Sequence, residues 1–224
     1  MSARMLVVAK APVPGRVKTR LGADIGMDEA AGIAAAALVD TLAACRDAVG
    51  AEQCTLSLDG DLADAVRGDE LLDLVEGWAV HPQVGDDFAA RLVHAHAGVA
   101  DGPGPVVQVG MDTPQVTPGL LLDAAGALGD GDAVLGPADD GGWWVLVLRD
   151  PAAAAALADV PMSTPTTYDD TRRALEDRGL TVSTTATLRD VDTVPDADLV
   201  AEVAPGSHFA RAWSACRSTP GARR

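Results

Sequence analysis

The stretch that decides the fold is RMLVVAKAPVPGRVKTRLG, residues 4–22. It begins with RMLVVA (4–9), a short apolar run rich in valine, which is typical of a buried strand. Two prolines and Gly15 follow, and they exclude a helix and predict a loop. From Asp28 an acidic first turn, apolar residues at helical spacing and a closing Gly50 predict a long helix. The chain therefore opens as strand, loop and helix.

The alternation of strand and helix continues along the chain. Further strands are predicted at 52–59, 78–83, 105–110, 132–137, 142–149, 180–184 and 187–191, and further helices at 86–99, 118–128, 151–158 and 165–178. This order predicts an α/β fold with a mainly parallel sheet, in which ligands bind beyond the carboxyl ends of the strands. We expect one domain over residues 1–217 and a disordered tail over 218–224.

Composition limits the classes of function. A chain of 224 residues that is 48% hydrophobic buries a full core as one domain. Its formal net charge of −16 repels nucleic acid and anionic membranes over most of the surface. No stretch approaches the roughly eighteen apolar residues of a membrane span. We therefore expect a cytoplasmic protein with no nucleic-acid partner and no membrane span. Three widely spaced cysteines favour neither a disulfide framework nor a zinc site.

Four cations within residues 10–20 contrast with this acidic balance. They are Lys10, Arg16, Lys18 and Arg20, and they include the only lysines of the chain. An even spread of the 17 Lys and Arg would place roughly one in such a window. Exposed cations between a strand and a helix, together with backbone N–H groups, can hold phosphates, although neither a Walker loop nor a GxGxxG fingerprint is present. The alternative is a solvated loop that neutralises neighbouring acids.

Carboxylates follow two of the predicted strands. In VGMDTP (109–114), Asp112 comes directly after a strand, and Mg²⁺ typically takes one or two protein carboxylates and fills its shell with phosphate and water. A helix cap or an Asx turn explains Asp112 equally well. In LRDVDTVPDADL (188–199), Asp190 and Asp192 share a face if the segment is extended, and one of them could join Asp112. The alternative is that Asp192 begins the next helix.

Two further loops carry polar side chains. GPADDGGWWVLVLR (136–149) combines paired acids, which can accept hydrogen bonds from hydroxyls, with glycines that allow a ligand close to the backbone. A plain hairpin turn is the alternative there. HPQVGDDFAARL (81–92) offers polar groups around a helix start, where an N-cap at Asp86 or Asp87 is the simpler explanation. The adjacent Trp143 and Trp144 cannot both face the same side of a regular strand.

Five motifs occur in order across residues 10–199: KAPVPGRVKTRL, QVGDDFAARL, GMDTP, GPADDGGWW and DVDTVPDADL. On these motifs the chain resembles the GT-A type nucleotide-diphospho-sugar transferase superfamily, and within it a bacterial glycosyltransferase-like family linked to arsenosugar biosynthesis. Its KTRL and DVDT elements also resemble those of 2-phospholactate guanylyltransferase, a nucleotidyltransferase on the same fold. The chain departs from the family pattern at Met111, Trp143 and Phe88, and none of these removes a proposed ligand.

The resemblance implies a three-layer α/β sandwich with a mainly parallel mixed sheet, a nucleotide in the N-terminal half and an acceptor in the C-terminal half. It implies Mg²⁺ (or Mn²⁺) at Asp112 and one of Asp190 and Asp192, while Lys10, Arg16, Lys18 and Arg20 stabilise the charge on the leaving phosphate. The implied catalytic residues are Lys18, Arg20 and Asp112. The implied nucleotide-binding residues are Lys10, Gly15, Arg16, Lys18, Arg20, Gln83, Asp87 and Arg91. The implied acceptor-binding residues are Asp139, Asp140, Gly141, Gly142 and Trp143.

Two transfer reactions fit these residues, with a nucleotide or nucleotide-sugar and a small-molecule acceptor as partners. A glycosyltransferase releases a nucleoside diphosphate, and the full-length resemblance favours this reaction. A nucleotidyltransferase releases pyrophosphate, and the charge of the basic loop favours it. A nucleotide-binding regulator without turnover would keep the cations but lose an acid at the metal, and the acids are present.

Overall fold

A computed structural model describes residues 3–218 of the chain. Within this range seven strands form one sheet in the order β3-β2-β1-β4-β6-β5-β7. The strands are β1 (Arg4–Lys10), β2 (Cys54–Asp59), β3 (Ala79–Pro82), β4 (Val106–Val109), β5 (Ala133–Pro137), β6 (Trp143–Leu148) and β7 (Val182–Thr184). Strand β6 runs antiparallel to β4 and β5, and the other neighbouring pairs are parallel. The predicted mainly parallel mixed sheet is confirmed.

Helices cover both faces of the sheet. They are α1 (Thr19–Ile25), α2 (Met27–Val49), α3 (Gly68–Leu74), α4 (Phe88–Ala97), α5 (Pro118–Gly126), α6 (Thr167–Glu176), α7 (Val194–Val203) and α8 (His208–Ser218), and 3-10 turns lie at Ala51–Gln53, Leu62–Asp64 and Pro151–Asp159. None of the helices described between residues 3 and 218 is both long and apolar enough to cross a membrane.

The alternation of side chains along β1 explains the three layers. Met5, Val7 and Ala9 pack into the core on the side of α2, α3 and α5. Leu6 and Val8 pack into the opposite core on the side of α4 and α6. Because apolar side chains project from both faces of β1, this strand is buried only if a helical layer covers each face of the sheet. A third cluster joins α1 and α2 to α7 and α8.

The central position of β1 determines where the polar loops meet. Strand β1 lies between β2 and β4 and is parallel to both, so the segments LVVA and VVQVG are adjacent strands. Lys10, at the end of β1, lies opposite Asp59, at the end of β2. The carboxyl ends of β1, β2 and β4 therefore deliver the basic loop, Asp59 and Asp112 to one edge of the sheet.

The structure differs from the sequence prediction at several elements. Helices α1, α3 and α8 were not predicted, and the strand predicted at 187–191 is wrong. Only Leu188 forms a bridge there, to Ala138, while Val191 donates to the carbonyl of Asp112 at 2.9 Å. The N–H of Leu188 donates to the carbonyl of Pro137, the last residue of β5, at 3.1 Å, and beyond this point the segment runs past the end of β5 and has no described strand to pair with. Ser218 ends α8, and the rest of the predicted tail, 219–224, lies outside the described residues.

Candidate active site at the carboxyl ends of β1 and β4

A tight loop leads from β1 to α1 and aims Lys18 inward. Gly15 adopts a φ of 77°, which favours glycine, and the N–H of Arg16 donates to the carbonyl of Val13 at 3.0 Å. Lys18 is left-handed, with φ 46° and ψ 42°, and forms the N-cap position of α1. Helix α1 then begins at Thr19, so that Arg20 belongs to its first turn and not to the loop. A left-handed lysine is uncommon, and such positions concentrate at functional sites.

The Lys18 ammonium lies between two carboxylates. Its Nζ atom is 2.6 Å from Oδ1 of Asp112 and 3.2 Å from Oδ1 of Asp192, and its side chain is 5% exposed. Burial lowers the pKa of Lys18, but the charges of Asp112 and Asp192 and the hydrogen bond to Asp112 outweigh burial and raise that pKa above its usual value. Lys18 is therefore a permanent buried cation. The expectation that all four cations are exposed is wrong for Lys18.

The other three cations of the motif are exposed. Arg20 is 76% exposed, and its Nη1 atom lies 3.4 Å from Oδ2 of Asp192. Lys10 and Arg16 form no ion pair with any residue between 3 and 218. The backbone N–H of Lys10 donates to the Met111 sulfur at 3.3 Å, which ties the end of β1 to the loop after β4. The loop thus presents positive charge that the described protein leaves largely unpaired.

Asp190 has a different environment from Asp192. No residue described between 3 and 218 donates a hydrogen bond to the Asp190 carboxylate, whereas both oxygens of Asp192 face cations. Burial, followed by the negative charge of Asp112, raises the pKa of Asp190 to about 8 although Lys18 opposes the shift. A partly buried carboxylate that lacks a donor and sits beside a second carboxylate is a place where a cation would be stabilised.

The donor set fits a hard divalent cation. Within the described range no three His, Cys, Asp or Glu side chains are grouped so that they enclose a metal ion by themselves. Mg²⁺ needs no such group, because it is usually held by one or two carboxylates together with phosphate oxygens and water. Asp112 and Asp190 could provide these carboxylates, and the donor-free carboxylate of Asp190 is the observation that supports the fit.

The predicted nucleotide-binding residues after β3 form a fixed polar wall. Gln83 Nε2 donates to the carbonyls of Ala9 at 2.9 Å and Ser57 at 3.1 Å, which anchors it to the ends of β1 and β2. Its Oε1 atom is buried and has no partner among residues 3–218. Asp87 accepts from the N–H of Ala90 at 2.8 Å, so its carboxylate caps α4. Gln83 thus offers an acceptor at this edge, and Asp87 has a structural task.

Asp59 is a site residue that the sequence reasoning missed. It ends β2, and its Oδ2 atom lies 3.0 Å from Nη1 of Arg91. Arg91 also donates to the carbonyl of Gly85 at 3.2 Å. The signal that could have found Asp59 is its position, since it is the polar residue at the carboxyl end of the second strand. Arg91 therefore already forms an ion pair with an acid of the site, Asp59.

The predicted acceptor loop joins β5 to β6. Gly141 has a φ of 91°, and a Cβ there would overlap the carbonyl oxygen of Pro165. Asp140 accepts from the N–H of Gly142 at 2.8 Å, and its charge reaches Asp190, where it raises the pKa. The N–H of Asp139 also donates to the carbonyl of Leu188 at 3.1 Å, so the loop lies beside the segment that carries Asp190. The loop is a hairpin turn, as the alternative interpretation held, and it also borders the site.

The two tryptophans face opposite layers, as the alternation rule predicts. Trp144 is buried on the side of α2. Trp143 packs on the side of α6, and its Nε1 donates to Thr171 Oγ1 at 3.2 Å.

Arg189 is a second residue that the sequence reasoning missed. Its Nη2 atom lies 2.7 Å from Asp139, and its Nη1 atom lies 2.9 Å from Asp196. Its carbonyl accepts from Gln115 at 2.7 Å. Arg189 thus connects the acceptor loop to the start of α7 and holds the segment that carries Asp190. The residue lies inside the DVDT motif region, but its role depends on partners that are distant in sequence.

The sheet order and the grouping of loops at one edge give the chain a fold that is nucleotide-diphospho-sugar transferase-like. The chain is similar to a protein of Desulfovibrio desulfuricans G20 that is provisionally assigned as a nucleotide-diphospho-sugar transferase, with 26% identity and a TM-score of 0.83 over 99% of this chain and 96% of that one. Residues 41–164 match the model of the family described as "Uncharacterized protein conserved in bacteria (DUF2064)". Because the match spans more than half of the chain, the chain belongs to this family.

Two further solved structures have the same fold. One is Rv0371c from Mycobacterium tuberculosis H37Rv in complex with manganese, with 23% identity and a TM-score of 0.57 over 90% of this chain and 99% of that one. The other is 4-diphosphocytidyl-2C-methyl-D-erythritol synthase from Anaerococcus prevotii DSM 20548, with 13% identity and a TM-score of 0.57 over 97% of this chain and 100% of that one. A comparison with curated proteins finds no match.

Proposed function

We propose that the chain is a nucleotide-dependent transferase that moves a glycosyl group from a nucleotide-diphospho-sugar donor to a small-molecule acceptor with the help of a divalent metal ion. The observation that carries this proposal is the buried Lys18 ammonium between Asp112 and Asp192 at the carboxyl end of parallel strands. In open α/β sheets ligands bind at that edge. Burial of charged groups in contact, with shifted pKa values, is typical of functional sites.

The exposed cations would bind the diphosphate of the donor. Lys10 and Arg16 have no acidic partner among the described residues, and Arg20 shares only one carboxylate oxygen. Charge-assisted hydrogen bonds to phosphate are about twice as strong as neutral ones. Lys18 and Arg20 would stabilise the negative charge that develops on the leaving phosphate. This catalysis needs no protein nucleophile.

Asp112 and Asp190 would hold Mg²⁺ or Mn²⁺. When bound, the metal would neutralise phosphate charge and act as a Lewis acid toward the leaving group. Asp190 is preferred to Asp192 because its carboxylate has no cation in hydrogen-bond contact. The manganese complex of Rv0371c lends support to a divalent metal on this fold.

The remaining predicted residues divide between nucleotide and acceptor. Gln83 would contribute an acceptor to the nucleotide through its unpartnered Oε1 atom, beside Asp87 and Arg91. The turn at Gly15 would bring backbone N–H groups to the phosphates. The acceptor would bind near the loop of Asp139, Asp140, Gly141 and Gly142 and the exposed part of Trp143.

Nucleotidyl transfer is the second candidate. Four cations within residues 10–20 suit a triphosphate better than a diphosphate sugar, because the triphosphate carries more charge. The synthase from Anaerococcus prevotii carries a cytidylyl name and shares the fold. The two reactions differ in their released product, a nucleoside diphosphate or pyrophosphate. A regulator without turnover is disfavoured because the acids of the metal site are present.

A thermal-shift screen with product analysis tests the proposed function. A ligand that binds only the native state raises its melting temperature. We expect nucleotide-diphospho-sugars to raise it with Mg²⁺ more than with EDTA, and we expect the active donor to release a nucleoside diphosphate. Release of pyrophosphate from a triphosphate would replace glycosyl transfer with nucleotidyl transfer. No shift with any nucleotide would refute both.

Three broader predictions accompany this function. Residues 1–217 are proposed to form one domain, since one sheet joins β1 to β7 and a single cluster connects α1 and α2 with α8. The cytoplasmic location and the link to arsenosugar biosynthesis stay predictions.

A further inference from the structure

We propose that Asp192 is a positioning residue whose carboxylate aims Lys18 and Arg20 at the phosphate groups of the nucleotide. The inference rests on the proposed function and assigns a task to an acid that either metal binding or helix initiation could otherwise explain.

Each oxygen of Asp192 serves a different cation. Oδ1 lies 3.2 Å from Lys18 Nζ, and Oδ2 lies 3.4 Å from Arg20 Nη1. Arg20 is 76% exposed at the first turn of α1, and this carboxylate is its ion-pair partner. A free arginine side chain at such a position loses substantial rotamer entropy when it is ordered by a ligand. Asp192 therefore orders Arg20 before the ligand arrives.

The backbone on both sides of Asp192 is fixed. The N–H of Val191 donates to the carbonyl of Asp112 at 2.9 Å. Thr193 forms the N-cap of α7 in a reciprocal capping box with Asp196. Because both neighbours are held by hydrogen bonds, the Asp192 carboxylate has a defined position. A carboxylate placed in this way can set the direction of two cations.

Charge alone predicts the opposite effect from positioning. Removing a negative charge beside an anion-binding site should strengthen anion binding through Coulomb attraction. Removing a carboxylate that orients two cations should weaken it, because the ligand must then order both side chains itself. The sign of the change in affinity therefore distinguishes the two effects.

The test is isothermal titration of inorganic pyrophosphate in EDTA, so that no metal contributes. The variants are Asp192→Asn, Arg20→Gln and the double variant, with Asp24→Asn as the charge control because Asp24 is exposed on the same helix. We expect Asp192→Asn to bind pyrophosphate about tenfold more weakly, which is roughly the cost of immobilising one or two long side chains, and Asp24→Asn to bind at least as tightly as wild type. We expect the effect of Asp192→Asn to shrink in the Arg20→Gln background.

A second pair of measurements separates positioning from metal binding and from general disruption. By electron paramagnetic resonance, Mn²⁺ should bind Asp192→Asn as it binds wild type, whereas Asp190→Asn should lose the ion. Asp192→Glu, which keeps the charge, should bind pyrophosphate more tightly than Asp192→Asn.

Several results would overturn the proposal. These are unchanged or tighter pyrophosphate binding by Asp192→Asn, an effect that is undiminished in the double variant, a loss of Mn²⁺ by Asp192→Asn, and weaker binding by Asp192→Glu than by Asp192→Asn. If Asp192 fails one of these tests but Arg20→Gln still binds pyrophosphate more weakly than wild type, the proposed function stands and only the role of Asp192 is refuted. If wild type binds no pyrophosphate, or Arg20→Gln binds it equally well, the phosphate-binding loop fails together with this inference.

Discussion

Replacing Lys18 by methionine removes the buried cation of the site while it keeps a side chain of similar length. Asp112, Asp190 and Asp192 then surround an uncharged group. Both residues pay the same backbone cost at the left-handed position, so the change in stability reports the charge. We expect the ligand-free variant to fold with lower stability than wild type.

The magnitude follows from the exposure of the partners. Removing one member of a buried ion pair costs about 3 to 5 kcal/mol, because the other charge remains buried. Lys18 is 5% exposed, but Asp112 is 44% and Asp192 is 38% exposed, so water screens part of the interaction. We therefore expect the free energy of unfolding to fall by about 2 kcal/mol, below the range for a fully buried pair.

Urea unfolding in EDTA measures this change, with Arg20→Gln as the matched control. Arg20 is 76% exposed and contacts the same Asp192, so its replacement should cost at most about 0.5 kcal/mol. Equal slopes in urea would show that both variants unfold in the same way. If Lys18→Met costs no more than Arg20→Gln, Lys18 is not a buried counter-ion and the description of the site is wrong.

Two further predictions concern stability. Burial lowers the pKa of His96 to about 4 from 6.5, so protonation favours the unfolded chain, and the contribution of His96 to stability should be complete above pH 6.5 and fall by about 3 kcal/mol as the pH drops to about 4. Urea unfolding across this pH range should show a smaller loss of stability in His96→Gln than in wild type. The loss should be unchanged in His94→Gln, because His94 lies on the exposed side of the same helix. Gly141→Ala should lower the free energy of unfolding by more than about 2 kcal/mol, because the φ of Gly141 is 91° and a Cβ there would overlap Pro165. Gly126→Ala, which has open space around the new Cβ, should leave the stability unchanged or raise it by up to about 1 kcal/mol. Equal melting temperatures for the two variants would contradict this prediction.

The elements that could be predicted from the sequence are those with a strong local pattern. The valine-rich run of β1, the proline and glycine residues of the loop and the capped helix after Thr117 follow from short-range rules, and the structure has each of them. Helix α1 was missed because Gly22 interrupts a short segment whose apolar residues pack against distant α7 and α8. The strand predicted at 187–191 failed because β5 ends at Pro137, so that the segment pairs with the sheet only at Leu188 and has no described strand beside it further on.

The residues of the candidate site could be named from the sequence, but their contacts could not. The ion pair of Lys18 involves Asp192, which is 174 residues away in sequence, and no local sequence pattern predicts a contact over that separation. The difference between Asp190 and Asp192 arises from their contacts, since Asp192 faces Lys18 and Arg20 whereas Asp190 is more deeply placed and has no donor among residues 3–218. Arg189 was overlooked because its partners, Asp139 and Asp196, lie in separate loops. The contacts of the site residues therefore depend on charged partners that are distant in sequence, which local spacing does not reveal.

Asp112 is proposed to bind a divalent metal ion that strengthens the binding of the nucleotide to the site. Isothermal titration of a nucleoside diphosphate into wild type, Asp112→Asn and Asp123→Asn, each with Mg²⁺ and with EDTA, tests it most directly; Asp123 is an exposed acid on α5 and controls for the change of charge. We predict that Mg²⁺ strengthens binding to wild type and to Asp123→Asn but not to Asp112→Asn, which keeps the metal-independent binding of the basic loop. The same enhancement by Mg²⁺ in Asp112→Asn would contradict the account.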